Sequence, residues 1–183
     1  EKRFAENLEL VENVYGKGSA EYKKVNELWT NVSKNIDLIA SQQKVINQLY
    51  DTNISISETI PEIQAEYNLM VDQMVRENMP SSQVIITKNQ VFIAERILRS
   101  INSVLVGTDN SSISANDFGA DIDTFGVYLN AQLNGSAELG VDRIESPDLR
   151  ESLDSIKSDY DAVLKSAAET VLQNANQIVR VRQ

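Results

Sequence analysis

Apolar residues recur along this chain at steps of three, four and seven, the period of helices that bury one side. Phe4, Leu8 and Val11 predict a first helix ending near Tyr15, where Gly16-Lys-Gly18 stops it. Ser19 is placed to cap the next helix, with Glu21 in its positive first turn. From there Tyr22, Val25, Leu28, Val32, Ile36, Ile39, Ile46, Leu49, Ile56, Ile60, Ile63, Tyr67, Met70 and Met74 form one stripe. A helix of about 60 residues rises about 90 Å, far more than a compact domain needs. Thr52-Asn-Ile-Ser-Ile-Ser57 is poor in helix formers and Pro61 lacks a backbone donor. The stripe resumes in phase at Ile60 and Ile63, so these features predict a joint and not a break.

Pro80-Ser81-Ser82 ends that helix and opens another, which runs to about Val106 with Val91, Ala94, Leu98, Ile101 and Leu105 on its seam. A polar turn follows over 107–112, with Ser114 as the expected cap of a helix whose stripe is Phe118, Ile122, Phe125, Leu129 and Leu133. Asn134-Gly135 closes it. After a loop of roughly a dozen residues, Ser146-Pro147-Asp148 combines a cap, a first-turn proline and a first-turn acid. Leu149, Leu153, Ile156, Tyr160, Val163, Ala167 and Leu172 continue the last helix. Trp29 reads as core of the first half; Met70, Met74 and Met79 read as core and cap of the second.

Helix lengths then give the architecture. The two middle helices each span about 35 Å and cover only half of each long neighbour. Residues 54–172 therefore make one complete antiparallel four-helix bundle. Residues 1–53, with 173–183, make a second bundle that lacks a helix. Both long helices turn amide-rich at the same level, near Asn53 on one and near Asn174 and Asn176 on the other. The expected fold class is all-α, an elongated helical bundle of two stacked antiparallel bundles sharing long helices.

Composition narrows the chemistry. The 183 residues contain no Cys and no His, which removes thiol nucleophiles, the usual zinc ligands and the commonest general base. No cofactor motif is present and no catalytic role is expected; Glu62 and Glu66, at i and i+4, read as helix surface. The net charge of −10 argues against a nucleic-acid groove, and half of it falls in 138–161. No apolar run approaches 18 residues and the first residue is Glu1, so no membrane span or signal peptide is expected within these residues.

Two stretches carry a resemblance. Gln90-Val-Phe-Ile-Ala-Glu-Arg-Ile-Leu-Arg-Ser-Ile-Asn-Ser-Val-Leu-Val-Gly107 is a helix with a Gly-led loop. Phe118-Gly-Ala-Asp-Ile-Asp-Thr-Phe-Gly-Val-Tyr-Leu-Asn-Ala-Gln-Leu-Asn-Gly135 is a second helix closed by Asn-Gly. Together they resemble the repeating unit of the PilJ-type sensor module of bacterial chemotaxis transducers and nitrate-sensing kinases. Glu58-Thr-Ile-Pro-Glu-Ile-Gln-Ala-Glu-Tyr67 narrows the match to methyl-accepting transducers of type IV pilus motility. The resemblance implies the periplasmic sensory segment of an inner-membrane chemoreceptor that controls twitching. The incomplete bundle would then be membrane-proximal and the complete one membrane-distal. It further implies a homodimer, and a cytoplasmic chemotaxis kinase with its coupling proteins acting through the rest of the receptor.

Candidate functional residues follow. Related modules carry a Gln-Arg pair here, and the resemblance to nitrate-sensing members implies that its Arg contacts the anion across a dimer interface; in this chain the pair is Glu95-Arg96, and the added negative charge disfavours nitrate. Helical geometry turns Phe92, Arg96 and Arg99 away from the expected seam, as a dimer or anion face or as a solvated one. Arg76 and Glu77 meet Glu138, Asp142, Arg143 and Glu145 at the end away from the membrane, a surface suited to pilin or a pilus-associated protein. Apart from the arginine pair, no cluster of converging polar groups stands out. Alternative readings are a structural or adaptor helical array, and the sensor segment of a nitrate-type histidine kinase.

Overall fold

A computed structural model describes the backbone of residues 2–106 and 111–180, with side chains for 3, 6–105 and 113–174. The described elements are α1 (Lys2–Tyr15), α2 (Ala20–Arg76), α3 (Ser81–Val106), α4 (Ser111–Asn134), α5 (Pro147–Asp159), a π-helical turn (Tyr160–Leu164) and α6 (Lys165–Arg180). The fold is all-α; among the described residues the only β pairing is an isolated bridge between Ser136 and Val141. The chain divides into two compact units, Glu1–Lys44 and Val45–Gln183. No described helix is long and apolar enough to cross a membrane.

Several ends form as their residues dictate. Gly16 follows α1 at φ +78 and its N–H donates to Glu12 O at 2.8 Å. Ser19 caps α2 by accepting the Tyr22 N–H at 3.1 Å. Helix α2 is unbroken through Thr52–Ser57 and Pro61. There the Thr52 and Ser55 hydroxyls donate back to Gln48 O and Asp51 O, which keeps these poor helix formers within the helix. Other ends differ from expectation. Ser146 precedes α5 without capping it, because its hydroxyl donates instead to Glu77 Oε1 at 3.3 Å. Helix α4 starts at Ser111, so Ser114 lies inside it; most of the turn expected over 107–112 lies outside the described residues.

In the unit Val45–Gln183, four helical faces close one core. Ile56, Ile60, Ile63, Tyr67, Met70 and Met74 of α2 are buried, as are Phe118, Ile122, Phe125, Leu129 and Leu133 of α4, all as expected. The α3 seam keeps Ala94 and Ile101 of the expected line, but its other positions lie one residue away. Buried along it are Gln83, Thr87, Gln90, Ala94, Ile97, Ile101 and Val104, in alternating steps of four and three, with Ile93 buried beside them. Val91, Leu98 and Leu105 flank that line and are only half-buried. Polar side chains hold three of the seven true positions, so an apolar search settles on the purely aliphatic neighbours.

The last helix also shifts. The Lys165 N–H bonds to Tyr160 O, five residues back, so the π turn holds one residue more than an α turn. It brings Leu164 inward in place of Val163. Val171 then follows Ala167 at the ordinary step of four, and Leu172, 44% exposed, covers Gly119 instead. Gly126 has no side chain because the Tyr160 hydroxyl and ring occupy that space. The Tyr160 ring stacks on Phe125 at 6.0 Å, with Lys165 Nζ 5.2 Å from its centre.

The unit Glu1–Lys44 packs differently. None of its described residues is buried. Tyr22, Val25, Trp29 and Ser33 are half-buried, whereas Leu28, Val32, Ile36 and Ile39 of the expected stripe are exposed. Trp29 is thus half-buried and not core. The Phe4 side chain lies outside the described residues, as do those of 175–183 expected to complete this bundle.

Candidate functional site

The loop between α4 and α5 is tied down at every turn. Gly135 at φ +83 ends α4, and Gly140 at φ +64 lets the chain fold back so that Ser136 and Val141 exchange backbone bonds of 2.8 and 2.9 Å. Buried Gln83, at the start of α3, grips the fold-back with both ends of its amide. Its nitrogen donates to Gly140 O at 3.1 Å and its oxygen accepts the Asp142 N–H at 3.0 Å. Val141 and Ile144 plug the core, while Arg150 donates to Leu133 O and Ile144 O at 3.1 and 3.0 Å. Arg150 thereby satisfies a carbonyl that the end of α4 would otherwise leave bare, and a second in the loop.

This scaffold displays the expected charged surface. Arg76, Glu77, Glu138, Asp142, Arg143 and Glu145 are all exposed. Arg143 pairs with Glu145 at 3.3 Å, and Glu77 accepts from both Gln73 and Ser146. Glu77 and the loop are therefore joined directly. Among the described residues, no hydrogen bond or ion pair links Arg76 or Glu138 to the other four.

On the side of α3, Arg96 is not a loose surface cation. Its Nε donates to Asp121 Oδ2 of α4 at 3.1 Å and its Nη2 donates to Oδ1. Asp121 is nearly buried, and this bidentate partner raises the Arg96 pKa above its ordinary value. Arg99 leans on Glu95 at 3.9 Å, and Phe92 is 58% exposed. Phe92 and Arg96 share the rim of a half-open cavity of about 300 Å³, together with Asn89, Gln90, Tyr128 and Leu139. Arg99 does not line it.

Among the described residues, no group of three or more His, Cys, Asp and Glu could hold a metal. Glu62 and Glu66 lie close enough to Asp159 to act on it. Burial first, and then their charge, push the Asp159 carboxyl above its ordinary pKa.

No family model matches the chain. Two curated relatives do. One, named for methyl-accepting chemotaxis, is AlkN of Alcanivorax borkumensis, 31% identical over 87% of this chain and 24% of its own length. The other is Protein PilJ of Pseudomonas aeruginosa, 32% identical over 79% of this chain and 21% of its own length. The chain belongs to the PilJ-type transducer family. It spans less than a quarter of the length of each of these relatives.

What sequence reasoning missed in this PilJ-type chain is a polar chain through the core. Gln90 Nε2 donates to Phe125 O at 2.9 Å and to Tyr67 Oη at 3.3 Å. Tyr67 donates to Gln132 Oε1 at 3.0 Å, Gln132 Nε2 donates to Thr87 Oγ1 at 2.9 Å, and Thr87 donates to Gln83 O at 3.0 Å. Burial lifts the Tyr67 phenol well above its ordinary pKa. The chain runs from the loop grip at Gln83 to Phe125, which stacks on Tyr160 in the π turn. A signal was present: Gln83, Thr87 and Gln90 stand at steps of four and three, in phase with Ala94 and Ile97. Asp121 carries no such signal, since its partner lies 25 residues away in sequence.

Proposed function

We propose that this chain is the periplasmic sensory segment of a PilJ-like chemoreceptor of the bacterial inner membrane, controlling type IV pilus twitching. It would act as a homodimer in the full receptor. Contact with pilin or a pilus-associated protein would fall on the charged end built by Glu77 and the loop after α4. Small displacements of the long helices would then reach the cytoplasmic chemotaxis kinase and its coupling proteins through the rest of the receptor. The observation that supports this reading best is the match to two chemotaxis relatives over 87% and 79% of the chain. The loop adds support. Its backbone is held rigid by Gln83 and Arg150 while its charges stay exposed, as suits recognition of another protein.

The test is photo-crosslinking of the segment to the major pilin, comparing the wild type with Glu138→Lys/Glu145→Lys. Both positions are exposed, so the exchange leaves the core intact. Capture that falls in the variant supports the end surface. Equal capture removes that surface from the contact, and no capture by the wild type removes pilin as the partner.

A further inference from the structure

The π turn decides which side of α6 faces the core, and the residues after it suit two settings. In the structure the inward line passes from Leu153, Ile156 and Tyr160 to Leu164, Ala167 and Val171. The bond from the Lys165 N–H to Tyr160 O accommodates the extra residue that makes this possible. Were the turn drawn into ordinary α winding, everything after it would rotate by about 100° relative to α5. The line would then continue at the spacing of α5, through Val163, Ala167 and Thr170.

That second line is fit for burial. Val163 is apolar and already packs against the edge of the core, as does Ala168. The Thr170 hydroxyl donates to Ser166 O at 2.9 Å within its own helix, so it would carry no unmet donor inward. Successive turns thus offer a usable residue on either of two adjacent lines, Val163 or Leu164 and then Thr170 or Val171. A helix with one setting needs only one of them. The opposing face leaves room as well. On α4, Gly126 yields its space to Tyr160, and Gly119, two turns earlier, lies against Leu172. Tyr160 also stacks on Phe125, whose carbonyl accepts from Gln90, so the π turn stands at the far end of the polar chain from the loop grip.

We propose that the π turn is a two-position register switch, in which α6 turns by one residue between the Leu164–Val171 line and the Val163–Thr170 line. A displacement of the loop after α4 would bias it through Gln83, Gln132, Tyr67, Gln90 and Phe125. Use of the switch to carry a signal rests on the chemoreceptor reading; the two registers themselves do not.

The chain has no Cys, so single cysteines report the register. Val171 and Leu153 are both fully buried. In the full chain, Val171→Cys is expected to react with a maleimide at least about tenfold faster than Leu153→Cys, because a turned α6 exposes it without global unfolding. Deleting Ala162, an exposed residue of the π turn, removes the extra residue and leaves ordinary winding with the present line inward. It should slow Val171→Cys to within about threefold of Leu153→Cys. Thr170→Val strengthens the second line at a half-buried site and should speed Val171→Cys at least about threefold, with Tm unchanged or raised. A fixed helix predicts the opposite, since added apolar surface would only hold it more firmly. The proposal fails if Val171→Cys and Leu153→Cys react alike, or if Thr170→Val leaves the rate unchanged or lowers it. It fails too if the deletion variant, folded by circular dichroism, keeps the fast rate, since fraying of the helix end would then explain the labelling. Pilin enters no arm, so loss of the pilin contact and loss of the switch are told apart.

Discussion

The two units use the same helical period to opposite ends. In Val45–Gln183 the stripes meet from four sides and side chains such as Phe118, Phe125 and Ile97 lose all contact with water. In Glu1–Lys44 the same kind of stripe leaves Leu28, Val32, Ile36 and Ile39 between 41% and 62% exposed. Periodicity tells which side of a helix is apolar; only the number of neighbours decides whether that side is buried. Stability should accordingly concentrate in the second unit, and the first should open at little cost.

The largest expected effect tests that contrast directly. Phe125→Ala should cost about 3–5 kcal/mol, since the ring is fully buried between Tyr67 and Tyr160. Leu28→Ala, at a site 58% exposed, should stay within about 0.5 kcal/mol. Urea unfolding followed by circular dichroism measures both. Similar losses at the two sites would mean that unit Glu1–Lys44 has a core of its own.

A second pair locates the α3 seam. Ile97→Ala should cost about 2–5 kcal/mol and Leu98→Ala clearly less, because Ile97 is fully buried and its neighbour is half-covered. The reverse order would restore the aliphatic line Val91, Leu98 and Leu105.

How legible the fold was depended on which residue types fill the inner positions. The α4 stripe was readable because all five members are apolar, two of them aromatic. The α3 line was readable only at Ala94 and Ile101, because Gln83, Thr87 and Gln90 are buried for hydrogen bonds that only the assembled core supplies. In α2, Trp29 and not Leu28 turns inward, a one-residue choice that the adjacent Leu28-Trp29 pair leaves undetermined. The π turn at Tyr160 changes phase through a backbone bond that side-chain pattern does not encode. Phe92 and Arg96 stood out as more than a solvated face needs. Their partners Asp121, Tyr128 and Leu139 come from elsewhere in the chain, so the cavity was invisible until the helices were in place.

The buried polar chain gives a third, smaller effect and sharpens the contrast from the polar side. Tyr67→Phe keeps the ring but strips Gln132 Oε1 of its donor inside the core, for about 1–3 kcal/mol. Adding Gln132→Leu removes the stranded acceptor and should recover part of the loss. Thermal unfolding of the single and double variants decides it; strictly additive losses would mean the two side chains do not act together.

The smallest effect concerns charge and has a definite sign. Asp159 sits half-buried with its pKa raised, first by burial and then by Glu62 and Glu66. A carboxyl whose folded pKa is raised favours the folded state when protonated, and that contribution is lost as pH rises through the raised value. Asp159→Asn should therefore stabilise the protein at pH 7 by less than about 1 kcal/mol, given the partial exposure of the site. The advantage should shrink on acidification and vanish below about pH 4, where wild-type Asp159 is itself neutral. Asp161 has the opposite sign: Lys157 and Lys165 hold its pKa down, so its contribution is present at neutral pH and is lost on acidification. Asp37→Asn, on the exposed surface of the first unit, serves as the control. Melting curves from pH 3 to 8 read both variants against the wild type, and an Asp159→Asn gain that persists unchanged at pH 3 would show that packing, and not charge, is its cause.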